Sequence, residues 1–86
     1  MHIDGQIISG DYDHGSQEFL ITSVKHLTTE SAISEEELGL LHDYLLAHAG
    51  EDGGQILSLN DQILVKLKPE EVNQVLQDLD DIKRLF

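Results

Sequence analysis

From Pro69 to the C-terminus, Val72, Val75, Leu76, Leu79, Ile82 and Phe86 recur at helical spacing. At 100° per residue they fall within an arc of about 120°. Gln74, Gln77, Asp78 and Asp81 lie outside that arc and are assigned to the solvent side. Pro69 suits a first helical position, where its missing N–H costs nothing. Glu70 and Glu71 in the first turn and Lys83 and Arg84 in the last match the helix dipole. The pattern predicts a closing amphipathic helix with one buried face, so Val72→Asp or Leu79→Asp is expected to unfold the domain.

A second helix is expected over Glu35–Ala49. Ser34 is placed to cap it, Glu37 completes a capping box, and Ile33 and Leu38 are spaced as a hydrophobic staple. Gly50 suits the position just past its end. Its apolar surface is broad: Leu38, Leu41, Leu45 and Ala49 form the main stripe, Leu46 and Tyr44 widen it, and Leu40 falls nearly opposite. One sheet face does not cover all of that. Either loops cover the remainder or the helix offers surface to another chain.

Between the helices, Glu51-Asp52-Gly53-Gly54 reads as a loop and Gln55–Lys68 as a β-hairpin. A two-residue turn at Asn60-Asp61 splits the apolar residues between both faces. A three-residue loop, Asn60-Asp61-Gln62, pairs Leu59 with Ile63 and Leu57 with Val65. That register gathers Leu57, Leu59, Ile63, Val65 and Leu67 on one face, with Ser58 and Lys66 on the other, and is preferred because a one-residue slip inverts every side chain.

In the N-terminal third, His2–Ser9 reads as a strand interrupted by Gly5, and Gly10–Ser16 as a loop rich in Gly and Asp. Phe19–Leu27 reads as a strand through Ile21, Thr22 and Val24. Leu20, Val24 and Leu27 also fit a helical stripe, which keeps a helix over residues 17–27 as the alternative. The sum is β-β-α-β-β-α: a small two-layer α+β domain over residues 1–86, with antiparallel hairpins and both helices packed on one side.

Composition narrows what such a domain does. A chain of 86 residues buries about 60% of its unfolded surface, leaving little room for an enclosed active site. With no cysteine there is neither a disulfide nor a thiolate metal site. Met1-His2-Ile3-Asp4 brings no Lys or Arg ahead of a long apolar run, so no secretory signal and no membrane span are expected, and a cytoplasmic location is the default. Seventeen acidic residues face five basic ones, a formal charge of −12. Direct nucleic-acid binding is disfavoured, because Lys25, Lys66, Lys68, Lys83 and Arg84 form no long patch. The charge serves solubility and attracts basic partners.

Candidate chemistry is sparse. Asp11-Tyr12-Asp13-His14-Gly15 alternates carboxylates as a calcium loop does. An EF-hand, however, wants Gly at the sixth position and Glu at the twelfth, where Ser16 and Thr22 stand. The plainer assignment is a connection in which Asp11 and Asp13 accept local backbone donors. Of the five histidines, His42 and His48 point about 120° apart on one helix and cannot share an ion. His2, His14 and His26 approach one another only if the first hairpin brings them together. No serine sits in a Gly-x-Ser-x-Gly elbow, and Gly50-Glu51-Asp52-Gly53-Gly54 lacks the Lys and Ser/Thr of a phosphate loop. No enzyme signature emerges, and no cofactor is expected.

The function expected first is therefore a non-enzymatic protein-binding or regulatory module. It would meet a protein partner or a second copy through the middle helix, with Leu40, Tyr44, Glu36 and Asp43 as candidate contacts. A second expectation is an acidic decoy for a nucleic-acid-binding protein, using Glu36, Asp43, Glu70, Asp78 and Asp81. A third is metal-dependent or enzymatic chemistry at the histidines and the Asp11–His14 loop.

Overall fold

Three antiparallel connections near the N-terminus set the frame. The computed structural model describes residues 1–50, 53–59 and 63–86, the side chains of Leu59 and Ile63 apart. Strands β1 (His2–Asp4), β2 (Ile8–Asp13), β3 (Glu18–Val24) and β4 (Leu27–Ser34) form a four-stranded sheet in chain order. Helix α1 (Glu35–Ala47) follows, then the hairpin β5 (Gln55–Leu59) and β6 (Ile63–Leu67), then helix α2 (Pro69–Lys83). The class is α+β as expected, but the order is β-β-β-β-α-β-β-α, with two strands more than the sequence pattern supplied.

The extra strands have identifiable causes. The segment His2–Ser9 is not one strand, because the chain turns back at Gly5, whose N–H donates to Ile8 O at 2.9 Å. A Cβ on Gly5 would lie 2.5 Å from both Ile8 O and Asp78 Cγ, so only glycine lets the turn and α2 approach this closely. Gly10–Asp13 belongs to β2 rather than to a loop, and the connection shrinks to His14–Gln17. Asp13 organises it, accepting the Gly15 N–H and the Ser16 hydroxyl, each at 3.0 Å. These two donors hold the Asp13 carboxyl below its usual range.

Residues Phe19–Leu27 are not a single strand, and no helix forms there. Val24 pairs with Leu27 across the two-residue turn Lys25-His26. Neither residue is a usual choice for such a turn, which favours Gly, Asn and Asp, and Lys25 takes a positive φ of 57°. Thr22 is a bulge: Ser9 pairs with Ser23 and Gly10 with Ile21, leaving Thr22 extra. The bulge reverses side-chain parity, so Phe19, Ile21 and Val24 are all buried although 21 and 24 differ by an odd number. With Ile8, Tyr12 and Ile33 they form the buried face, while the paired Asp11, Leu20 and Ala32 face solvent.

The hairpin keeps the expected register: Leu59 pairs with Ile63 and Leu57 with Val65. Leu57, Val65 and Leu67 are buried, and Ser58 and Lys66 are exposed. The loop Asn60-Asp61-Gln62 and residues Glu51-Asp52 lie outside the described residues. Gly54 has a φ of 79°, and a Cβ there would collide with Leu67 O.

Helix α1 starts as its sequence dictates. The Glu37 N–H donates to Ser34 Oγ at 3.2 Å, and the Ser34 N–H donates back to Glu37 Oε1 at 3.2 Å. Ile33 and Leu38 are both buried beneath this start. The end differs from expectation. Gly50 takes no left-handed conformation, and the last turn tightens instead, with His48 N–H donating to Leu45 O and Ala49 N–H to Leu46 O.

Helix α2 buries Val72, Val75, Leu79 and Ile82, with Leu76 at the margin, and Phe86, past the end of the helix, packs against the same core. It also buries Asp78, which the helical pattern had assigned to solvent. Asp78 is 2% exposed and accepts the main-chain N–H groups of Gln6, Ile7 and Ile8 at 2.9, 2.7 and 3.0 Å. The apolar residues of both sheets and both helices form one continuous core.

Candidate functional site

The outward face of α1 carries the four candidate contact residues together. Glu36, Leu40, Asp43 and Tyr44 stand at helical intervals of three and four, and all are exposed. Leu40 keeps 64% of its surface in solvent and Tyr44 50%. Only Leu38 and Leu45 of this helix are fully inside. The breadth of its apolar surface is thus an exposed surplus rather than a second packing face. The Tyr44 ring lies 4.7 Å from that of His48, which limits its freedom without covering it.

A second apolar face adjoins it. Because Leu57, Val65 and Leu67 point inward, parity forces Ile56 and Leu64 outward, where they are 60% and 72% exposed. Ile56 pairs with Lys66 and Ser58 with Leu64, so these four side chains occupy one face of the hairpin. Tyr44 and Ile56 line a single open depression with Gly53, Gly54 and Lys66. Another depression, also lined by Lys66, joins Leu64 to His26 and the exposed Leu27. The sheet-side contacts Ile56, Leu64, Lys66 and Leu27 escaped the sequence reading. The signal was present for three of them, since the register that puts Leu57 and Val65 inside puts Ile56, Leu64 and Lys66 outside.

The surface is electrically uneven. Its helical side carries Glu36 and Asp43, the latter with an 82% exposed side chain. Its hairpin side carries Lys66, which makes no ion pair among the described residues. Lys25, at the edge of the same face, is already engaged. Its ammonium donates to Lys66 O at 3.1 Å and to Glu71 Oε1 at 3.0 Å. The Lys68 N–H and the Lys25 ammonium together hold the Glu71 carboxyl below its usual range.

The histidines do not converge. His14 and His26 sit at opposite ends of β3. His2 sits between two carboxylates, its Nε2 2.8 Å from Asp4 Oδ1 and its Nδ1 3.0 Å from Asp11 Oδ1. Those contacts, Asp4 first, raise its pKa above 6.5. His42 lies between the helices with Nε2 3.0 Å from Asp80 Oδ1. Among the described residues no three His, Asp or Glu side chains are placed to hold a metal ion. The decoy set also comes apart: Asp78 is interior, and Asp81 lies 3.3 Å from the Arg84 guanidinium. No helix of the described residues is long and apolar enough to cross a membrane.

Compared with known proteins, the chain matches no family model, no curated protein and no solved structure.

Proposed function

We propose that this chain is a small non-enzymatic protein-binding module whose docking surface is the outward face of α1 together with the outer face of the β5–β6 hairpin. One observation carries the reading: Leu40, Tyr44, Ile56 and Leu64 all stand half exposed or more, and Tyr44 and Ile56 share one depression where the two faces meet. An apolar surface built from two elements, with Glu36 and Asp43 along its helical side and Lys66 beside Ile56, combines the apolar contacts and placed charges of an interface. Single exposed leucines are ordinary on protein surfaces; a joined set is not. Association would bury apolar area at about 25 cal/mol per Å², with Tyr44 as the natural anchor.

The phosphate-mimic reading has lost Asp78 from its set and gains no observation in return. The test of the favoured reading is site-specific photo-cross-linking in the native cell. A photoreactive residue at position 44 is expected to capture a polypeptide, whereas one at Asp11, on the solvent face of the four-stranded sheet, is expected to capture none. Equal labelling from both positions removes the case for this surface.

A further inference from the structure

We infer that the occupant of this surface is a second copy of the same chain, with α1 of each copy seated on the outer hairpin face of the other; this rests on the docking reading above. The argument is complementarity. The hairpin face offers Ile56 and Leu64 beside Lys66, a cation without an ion pair among the described residues in a chain that carries 17 acidic groups. A partner suited to it brings apolar side chains with carboxylates beside them. The chain's own α1 does so: Leu40 and Tyr44 are flanked by Glu36 and Asp43 at intervals of three and four residues, on one helical face. The two halves of the match adjoin in each copy at Tyr44 and Ile56.

A twofold axis near that junction therefore makes both contacts at once. Each helix lies on the opposite hairpin, and Lys66 of each copy meets Asp43 of the other. Such an isologous arrangement closes on itself and leaves no half of the surface unsatisfied. It needs roughly 800 Å² per partner, out of the 5202 Å² that one chain exposes. The formal charge of −12 opposes the approach of two copies at long range, and that opposition is screened beyond about 10 Å at moderate salt. Added salt relieves this repulsion but also screens the Lys66–Asp43 pairs, so the dimer persists in salt that weakens a complex between an acidic surface and a basic groove.

Sedimentation equilibrium of the full chain tests the inference. The native chain is expected to show a concentration-dependent monomer–dimer equilibrium. Leu40→Glu and Leu64→Glu, both at exposed positions that leave the thermal transition in place, are each expected to weaken it about tenfold or more. Lys66→Glu and Asp43→Lys are each expected to weaken it, and the double variant to recover affinity, because the pair is re-formed with its signs exchanged. That recovery cannot come from damage to the fold.

A chain that stays monomeric at every concentration overturns the inference, as does a dimer sensitive to only one of Leu40 and Leu64, or one in which the double charge exchange restores nothing. A monomer whose position-44 cross-linker still captures a different polypeptide overturns the second copy alone. A monomer that captures nothing overturns the docking reading as well.

Discussion

Asp78 Oδ2 accepts the main-chain N–H of Ile7 at 2.7 Å, joining the closing helix to the first turn of the chain across 71 residues of sequence. The same carboxylate takes the N–H groups of Gln6 and Ile8, so one side chain satisfies three donors that the turn at Gly5 leaves unpaired in the sheet. Removing it strands those donors, two of them buried, and each unsatisfied buried donor costs about 1–3 kcal/mol. Asp78→Ala is therefore expected to destabilise the fold by about 3 kcal/mol or more. Asp78→Asn, which keeps one acceptor and turns an NH₂ toward the rest, is expected to lose part of that. Urea midpoints of the three proteins check the ranking, and an Asp78→Ala chain as stable as the native one removes the role assigned to this carboxylate.

Asp78 also shows where reading a chain residue by residue runs out. It lies about 40° beyond the edge of the apolar arc of α2, where a polar residue is usually wet. Its partners are main-chain N–H groups, which carry no sequence identity, so no pattern of side chains announces them. The missing strand β4 has a similar origin. The turn before it is Lys25-His26 rather than a Gly, Asn or Asp pair, and the Thr22 bulge breaks the alternation that marks a strand. By contrast, the start of α1, the stripe of α2 and the hairpin register were legible, because each rests on local capping or on parity. Of the candidate surface, Leu40 and Tyr44 were visible as residues that the helix could not bury. Ile56 and Leu64 followed from the register, but Leu27 needed the unforeseen strand.

The reciprocal contacts at the start of α1 give a calibrated prediction. Ser34 Oγ receives the Glu37 N–H, and Glu37 Oε1 receives both the Ser34 N–H and the Ser34 hydroxyl, the latter at 3.0 Å. Loss of a cap of this type costs about 1 kcal/mol, which lowers the melting temperature of a domain of this size by roughly 4–8 °C. Ser34→Ala should show that drop in calorimetry, and Glu37→Ala a smaller one. Because the two residues serve one motif, the double variant should lose less than the two singles added together.

His2 makes the short strand β1 sensitive to pH. Its imidazolium donates to Asp4 and Asp11, and these contacts raise its pKa above the 6.5 of the free side chain. A value raised on folding means that the charged form stabilises the native state. The contribution is complete below 6.5 and fades as pH climbs through the higher native midpoint. An imidazole NMR titration should place that midpoint above 6.5, and Asp4→Asn should lower it more than Asp11→Asn. Amide exchange across the His2–Asp11 pair, corrected for its intrinsic pH dependence, should lose protection over the same interval. A native His2 midpoint at or below 6.5 contradicts this account.

The opposite sign applies where the two sheets are tied together. Lys25 reaches from the β3–β4 turn to Lys66 O on β6 and to Glu71 on α2, while its own N–H donates to Ile7 O at 2.8 Å. Glu71 is held below its usual 4.5, first by the Lys68 N–H and then by the Lys25 ammonium. A carboxyl depressed on folding stabilises the native state above about 4.5, and that contribution disappears as pH falls through the lower native midpoint. Lys25→Met retains the length of the side chain but removes the charge and both hydrogen bonds. Carboxyl NMR should then show the Glu71 midpoint rising toward 4.5 without reaching it, because the Lys68 N–H remains. Glu71→Gln should flatten the acid limb of the stability profile, and amides of β6 should exchange faster in both variants. If the Glu71 midpoint does not move in Lys25→Met, the ammonium is a surface contact and the hairpin is held by Leu57, Val65 and Leu67 alone.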